Sequence, residues 1–376
     1  MAARCHPFVT AACLAIFLVF GAIAAPSLDA PIKTILAVGP EGHGNAAAGA
    51  AVKSLSSAKL DALPQILTAM DGANDYALNW LRAAVETITQ RETLAGKAIP
   101  VAELETFLNN RKHHPRARRL AYELIERSDV AKAEKMLGNF LNDPSAELRF
   151  AAVQQIVDQT TKGGTNDKPA AIAGYRKALG SARDALQIDA IAGKLAELGD
   201  KVDLQKTFGW VTQWKVVGPF DNTGGIGFDK VYPPETGVDT TAEYDGKVGK
   251  VRWQDYQTHH DYGQVDLNQP LTMTKGVTGY AYAEFWSATA RAVQVRLGSQ
   301  NGWKVWVNGK FLFGRDEYHR ADEIDQFRLP VELKPGKNVI LVKCLQNEQT
   351  EDWAKDWQFQ LRVTDDEGTP IASAKQ

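Results

Sequence analysis

The sequence predicts a multidomain α + β chain, an N-terminal α-solenoid followed by a C-terminal antiparallel β-sandwich. Three observations predict it. The apolar period is helical from about residue 59 to 200, and it switches to alternation after the stretch "GDKVDLQKTFG", which places a linker at 201–209. Nine short alternating runs divided by Gly, Pro and Asn turns then fill 210–376. Asn308-Gly309 stands between two apolar runs, the strongest short-range hairpin signal, because both residues tolerate the positive φ of a type I′ turn.

The first residues are read as a leader. Arg4 precedes the apolar run "FVTAACLAIFLVFGAIAA", which contains the small-residue pattern Ala22-Ile23-Ala24, so residues 1–24 are expected to be a signal peptide cleaved after Ala24. The rival reading is an uncleaved anchor, since Phe8 to Ala25 is 18 residues, just long enough to span a bilayer. A membrane is therefore a partner only if the signal stays on, and the expected address is secreted or periplasmic. Residues 25–58, rich in Ala, Gly and Ser without a sustained period, are expected to be a flexible spacer.

Between 59 and 200 three short helix pairs follow one another, then a fourth, "PAAIAGYRKALGSARDALQIDAIAGKLAELG". In the second helices Ala84, Ala121 and Ala152 are each followed four residues on by Ile88, Ile125 and Ile156, near the spacing of helical solenoids. The phrases "LNDPSAELRFAAVQQI" and "AMDGANDYALNWLRAAVETI" resemble the second-helix pattern of HEAT repeats. That resemblance implies a protein-binding scaffold and no chemistry, and the fourth pair is closer to a tetratricopeptide unit.

In the second half the hairpin "GWKVWVNGKFLFG" should pair Val307 with Lys310, Trp306 with Phe311, Val305 with Leu312 and Lys304 with Phe313. Val305, Val307 and Leu312 then share one face, and Trp306, Phe311 and Phe313 the other, so both faces want cover. Eight of the nine tryptophans lie in this half. The stretches Trp306-Val307-Asn308-Gly309 and "LKPGKN" at 333–338 resemble the galactose-binding-like jelly roll, notably the sugar-binding domain of glycoside hydrolase family 2. The resemblance implies an exported, bacterial-type binding module without the catalytic barrel of that family, because no further length remains for a barrel of about 250 residues. It also implies room for a structural calcium ion, for which no ligand set can be named; no other cofactor is expected.

Charge narrows the partners. With 43 basic and 45 acidic side chains the chain is close to neutral, and no basic stripe offers itself to phosphates, so nucleic acid is excluded as an expected partner. Cys344 is the one cysteine beyond the leader, it alternates with Ile340 and Val342, and it reads as a small core residue. His259-His260-Asp261 could offer metal ligands, yet neighbours on a strand point to opposite faces. Asp365-Asp366-Glu367 lie in a turn, and "DNTGGIGF" at 221–228 has no helix behind it to hold phosphate. No catalytic set is assigned.

Antiparallel strands alternate in direction, so loops can be sorted by end. Taking the Asn308-Gly309 turn as the bottom, loops 314–323, 346–356, 299–302 and 257–278 reach the top. They bring Glu317, Tyr318, His319, Arg320, Gln346, Asn347, Glu348 and Trp353 together with His260, Tyr262 and Asn301 as candidate ligand-binding residues. Aromatic faces beside amides, carboxylates and Arg are what a sugar ring and its hydroxyls require. The function expected is therefore a non-catalytic protein that binds carbohydrate or a glycan-bearing surface, with the helices as protein-binding scaffold; the alternative is a structural adaptor that binds no sugar.

Overall fold

The computed structural model describes residues 27–164, 166–320 and 322–374, so the signal peptide expected at 1–24 lies outside the described residues. The chain divides into two compact units between Phe107 and Leu108. No helix among the described residues is long and apolar enough to cross a membrane.

The first unit contains α1 (Asp29–Leu36), α2 (Asn45–Leu55), α3 (Leu63–Ala69) and α4 (Asp75–Leu94), while α5 (Val101–Asn109) runs across the boundary. Two of these helices occupy the stretch expected to be a flexible spacer. α1 buries Ile32 and Ile35, and α2 buries Ala48, Ala51 and Leu55, a helical period spelled mostly in alanine. Alanine is the best helix former, so a run that reads as a small-residue spacer folds once it has a surface to pack on. Asn74 caps α4 by accepting from the Ala77 amide at 2.9 Å, and its Nδ2 donates to the Val38 carbonyl at 2.7 Å. Leu78, Leu81, Val85 and Ile88 form the buried stripe of α4.

The second unit opens with α6 (Pro115–Ser128), α7 (Val130–Leu137), α8 (Ala146–Gly163), α9 (Lys168–Ser181), α10 (Ala185–Glu197) and the short α11 (Leu204–Phe208). The acidic turn before α8 has a structural reason. Asp143, fully buried, accepts from Arg118 Nη1 at 2.5 Å and Nη2 at 2.8 Å, and Arg118 Nε donates to the Leu108 carbonyl. A buried charge is tolerated because its partner and hydrogen bonds are complete. Residues 201–209, expected as a linker, contain α11, whose Phe208 is fully buried.

The strands are β1 (Gln213–Asp221), β2 (Glu243–Gly246), β3 (Gly249–Arg252), β4 (Gln254–Gln257), β5 (Val265–Asp266), β6 (Val277–Ser287), β7 (Arg291–Gly298), β8 (Gly302–Val307), β9 (Lys310–Arg315), β10 (Phe327–Leu333), β11 (Gly336–Gln346) and β12 (Gln358–Thr364), with α12 (Pro233–Thr236) after β1. A six-stranded sheet runs β4-β1-β6-β11-β8-β9 and a four-stranded sheet β10-β7-β12-β5, with every pairing antiparallel. One core draws on both sheets: Val216, Ala281, Trp303, Val305, Ile340, Val342 and Cys344 on the first, Val295, Leu297, Phe359, Leu361 and Val363 on the second. Burial pushes the Cys344 thiol well up, and the residue behaves as the core side chain expected of it.

The hairpin turn has Asn308 at φ 51° and Gly309 at φ 79°, and Val307 and Trp306 pair with Lys310 and Phe311 as expected. The next pairs differ from the expected register. Val305 faces Phe313 and Lys304 faces Gly314, so Leu312 is an extra residue, a bulge on the edge strand β9. The bulge moves Phe313 off the Trp306 face, where its ring meets Trp303 at 5.9 Å and Phe327 at 6.1 Å.

The outer face of the six-stranded sheet is covered from within the chain. Residues of the β1–β4 segment, among them Tyr232, Tyr244, Val251 and Trp253, pack with Phe220, Tyr280, Tyr282, Leu341 and Trp306. Under this cover Lys343 is fully buried, donating to Glu235 Oε1 at 2.8 Å and to the Phe228 and Lys230 carbonyls. Helices and sandwich share a second cluster: Trp210, Tyr262 and Ile324 pack with Tyr175, Ile188, Ile191, Leu195 and Phe208. The two halves on either side of 201–209 are therefore joined by a common core.

Candidate functional site

β9 and β11 deliver their exit loops to the same end of the sandwich, and two loops that connect earlier strands meet them there. The Gln346 side chain, fully buried at the end of β11, donates from Nε2 to the Lys355 carbonyl at 2.9 Å and to the Ala354 and Asp356 carbonyls at 3.3 Å. Asn301 donates to the Asp356 carbonyl at 2.9 Å and accepts from the Gln358 amide at 3.0 Å. These two candidates hold loop 347–357 in shape and have no surface for a ligand. Tyr318 is likewise turned inward. Its hydroxyl accepts from Asn222 Nδ2 at 3.1 Å, its ring lies against Gly302, where a Cβ would approach Cζ to 3.1 Å, and burial pushes its pKa up to about 12.

The outward group is smaller. His319, held at φ 59° with its amide donating to the Gln300 carbonyl, places Nε2 3.1 Å from Asn347 Oδ1 and its ring edge-on to Trp353 at 4.9 Å. Trp353 is 57% exposed. Asn347 Nδ2 donates to Gln349 at 2.8 Å, and the Glu348 carboxylate accepts from the Gly224 amide. Beside them Arg315 and Arg320 both donate to Glu317, and this pairing, Arg315 first, holds its carboxyl below the usual range. An indole set by an imidazole, next to an amide and a carboxylate, can stack on the apolar side of a sugar ring and bond to its hydroxyls.

His260 and Tyr262 are placed elsewhere. The Tyr262 hydroxyl donates to Asp189 on α10, its ring lies 6.2 Å from Phe208, and the His260 carbonyl accepts from Gln205 on α11 at 2.9 Å. The reason is β5, which pairs with β12 and turns residues 258–264 toward the helices before the chain reaches the rim. Two other residues belong to the rim without having been expected there. Asn222 ties Tyr318, the Gln346 carbonyl and the Gly227 amide together, so the Gly-rich loop 222–228 forms part of this end. Asp322 has both carboxylate oxygens buried without a hydrogen bond; burial, aided by the charge of Asp356, pushes its pKa up to about 6. Among the described residues no group of three or more His, Cys, Asp or Glu gathers as metal ligands.

No family model matches the sequence, and no curated protein matches it. Among solved structures, the chain is similar to the PA14 domain of the antifreeze protein MpAFP, at 11% identity and a TM-score of 0.20, over 26% of this chain and 47% of that one. It is similar at the same identity and TM-score to the GH31 alpha-xylosidase of Xanthomonas citri, over 42% of this chain and 19% of the enzyme. The chain thus spans about half the length of the first and about a fifth of the second. Likenesses of this size carry no argument about fold or activity.

Proposed function

We propose that this is an exported, non-catalytic binding protein, secreted or periplasmic, in which a galactose-binding-like jelly roll binds carbohydrate or a glycan-bearing surface and HEAT-like helices serve as the scaffold for a protein partner. The observation that carries the reading is Trp353, more than half exposed and braced by His319, which is itself fixed by Asn347. A large aromatic left in solvent but held in one orientation costs stability unless something covers it, and a sugar face is suited to do so. The test is a glycan array probed with the intact protein and with Trp353→Ala, alongside thermal melts. Binding that falls at least tenfold in the variant with an unchanged melt supports the reading.

The second reading is a structural adaptor. It is favoured by the inward turn of Asn301, Tyr318 and Gln346, whose side-chain hydrogen bonds run to the loops themselves. Absence of any glycan hit on the intact protein decides for it.

A further inference from the structure

A cavity of about 360 Å³ lies between α9, α10 and the turn after β12, well away in sequence from the rim loops. Its size is at the lower end of the roughly 300–1,000 Å³ usual for small-molecule sites. Leu179, Ile188 and Pro370 give it an apolar wall, and three arginines, Arg176, Arg183 and Arg362, line it without a carboxylate among the lining residues.

Two of these arginines are already matched. Arg176 is bidentate to Asp200, with both contacts at 2.7 Å, and Arg362 is bidentate to Asp325 at 2.7 and 2.5 Å. Arg183 is not. Its Nε donates to Thr369 Oγ1 at 3.2 Å and its Nη1 to the Ala182 and Gly180 carbonyls at 2.7 and 3.2 Å, all neutral acceptors, and Nη2 has no acceptor among the described residues. The acids that bear on it are Asp365 and Glu367. Glu367 is engaged by Arg149, and Asp365 Oδ1 by the Thr369 amide at 2.7 Å. Burial, then the neighbouring charge of Arg149, lowers the Arg183 pKa against the opposing pull of Asp365 and Glu367. Neutral contacts thus fix the guanidinium in place beside an apolar wall, with Asp365 and Glu367 acting on it only at longer range.

We infer that this cavity is a second binding site, for a small carboxylate whose head pairs with Arg183 and whose hydrocarbon body lies against Leu179, Ile188 and Pro370. A guanidinium with no bonded carboxylate suits one negative charge, and a planar carboxylate matches the guanidinium edge in a way that a point anion does not. The site is independent of the Trp353 rim and of any sugar.

The experiment is titration calorimetry of the intact protein with hexanoate and with acetate, which share the head and differ in the body. Hexanoate is expected to bind about tenfold or more tightly than acetate, because the extra methylenes leave water. Arg183→Gln is expected to weaken hexanoate at least about tenfold, and Trp353→Ala to leave it unchanged. No heat from hexanoate at concentrations up to about 10 mM, equal affinity for the two acids, or full binding by Arg183→Gln overturns the proposal. So does loss of hexanoate binding in Trp353→Ala, which would move the ligand to the rim. Should Arg183→Gln fail to fold, Leu179→Trp decides: it narrows the cavity and leaves the guanidinium, so unchanged hexanoate affinity would sink the site.

Discussion

Asp322 and Asp325 sit three residues apart in one loop, and their surroundings treat the same side chain in opposite ways. Asp325 accepts from Arg362 at 2.7 and 2.5 Å and from Arg296 at 2.6 Å, and Arg362 in turn donates to the Phe208 carbonyl, so the loop is bolted to the seam between sandwich and helices. Burial alone would raise its pKa, but the hydrogen bonds and charge of Arg362, then of Arg296, take it below the usual range. Asp322, at the rim side of the same loop, is buried with nothing to accept from. The difference teaches how one loop divides its work: the charge cluster around Asp325 is complete, and the carboxylate of Asp322 is left with spare capacity.

The comparison breaks most sharply at Asp325. Replacing it with Ala strands two arginines, each under 5% exposed, and should cost about 3–5 kcal/mol, read from chemical denaturation of the full chain. A loss below about 1 kcal/mol would mean the seam is not held by this charge cluster. Next comes Tyr318→Ala, expected to cost about 2–3 kcal/mol because the ring packs on Gly302 and its hydroxyl takes the Asn222 amide. Were that variant as stable as the parent, the rim loops would be supported by something other than Tyr318.

Asp322→Asn sharpens the contrast with its neighbour and reverses its sign. A carboxyl with a folded pKa near 6 and an unfolded one near 3.9 binds more protons in the native state, so its contribution to stability falls as pH rises through that window. The Asn variant should therefore be more stable than the parent by about 3 kcal/mol at pH 7.5, and most of the gain should be gone near pH 4. Melts at the two pH values check it; an equal or lower melting temperature at pH 7.5 would show that the carboxylate has a partner in solution. The smallest expected effect on stability is that of Trp353→Ala, within about 0.5 kcal/mol, since the indole is mostly in solvent. A larger fall in its melt would make Trp353 a packing residue and remove the rim's aromatic face.

Much of this architecture was legible in the chain. The change of period near 201–209, the eight strands of six or more residues and the Asn308-Gly309 turn all follow from local patterns, while the ninth expected run, "KVRWQDY", is divided into the two four-residue strands β3 and β4. β2, whose residues EYDG hold a single apolar side chain, and the two-residue β5 were not legible, because neither carries an alternation. Leu312 was hidden for a different reason: a bulge on an edge strand leaves the alternation of types intact and shifts only the partner. The candidate site was partly legible. Connection order correctly brings Asn301, His319, Asn347 and Trp353 to one end, but order alone does not say which polar groups are used up by the loops, and Gln346 and Tyr318 are. His260 and Tyr262 sit in a long connection whose course is fixed by the pairing of β5 with β12, a contact some ninety residues away that no local pattern reports.

The turn after β12 reaches back to the helices, with Glu367 pairing to Arg149 across 218 positions of sequence and Thr369 accepting from Arg183 across 186. On the ribosome this order matters. Arg149 and Arg183 are made long before their partners, and Phe208 waits for Tyr262 and Ile324, so a nascent chain carrying only its helices presents these side chains to whatever else is nearby. Contacts of such long range form slowly. The segment that finishes the oldest part of this unit therefore follows Arg149 by 218 positions, and the interval before it emerges is when these side chains are most exposed to binding by chaperones or to cleavage by proteases.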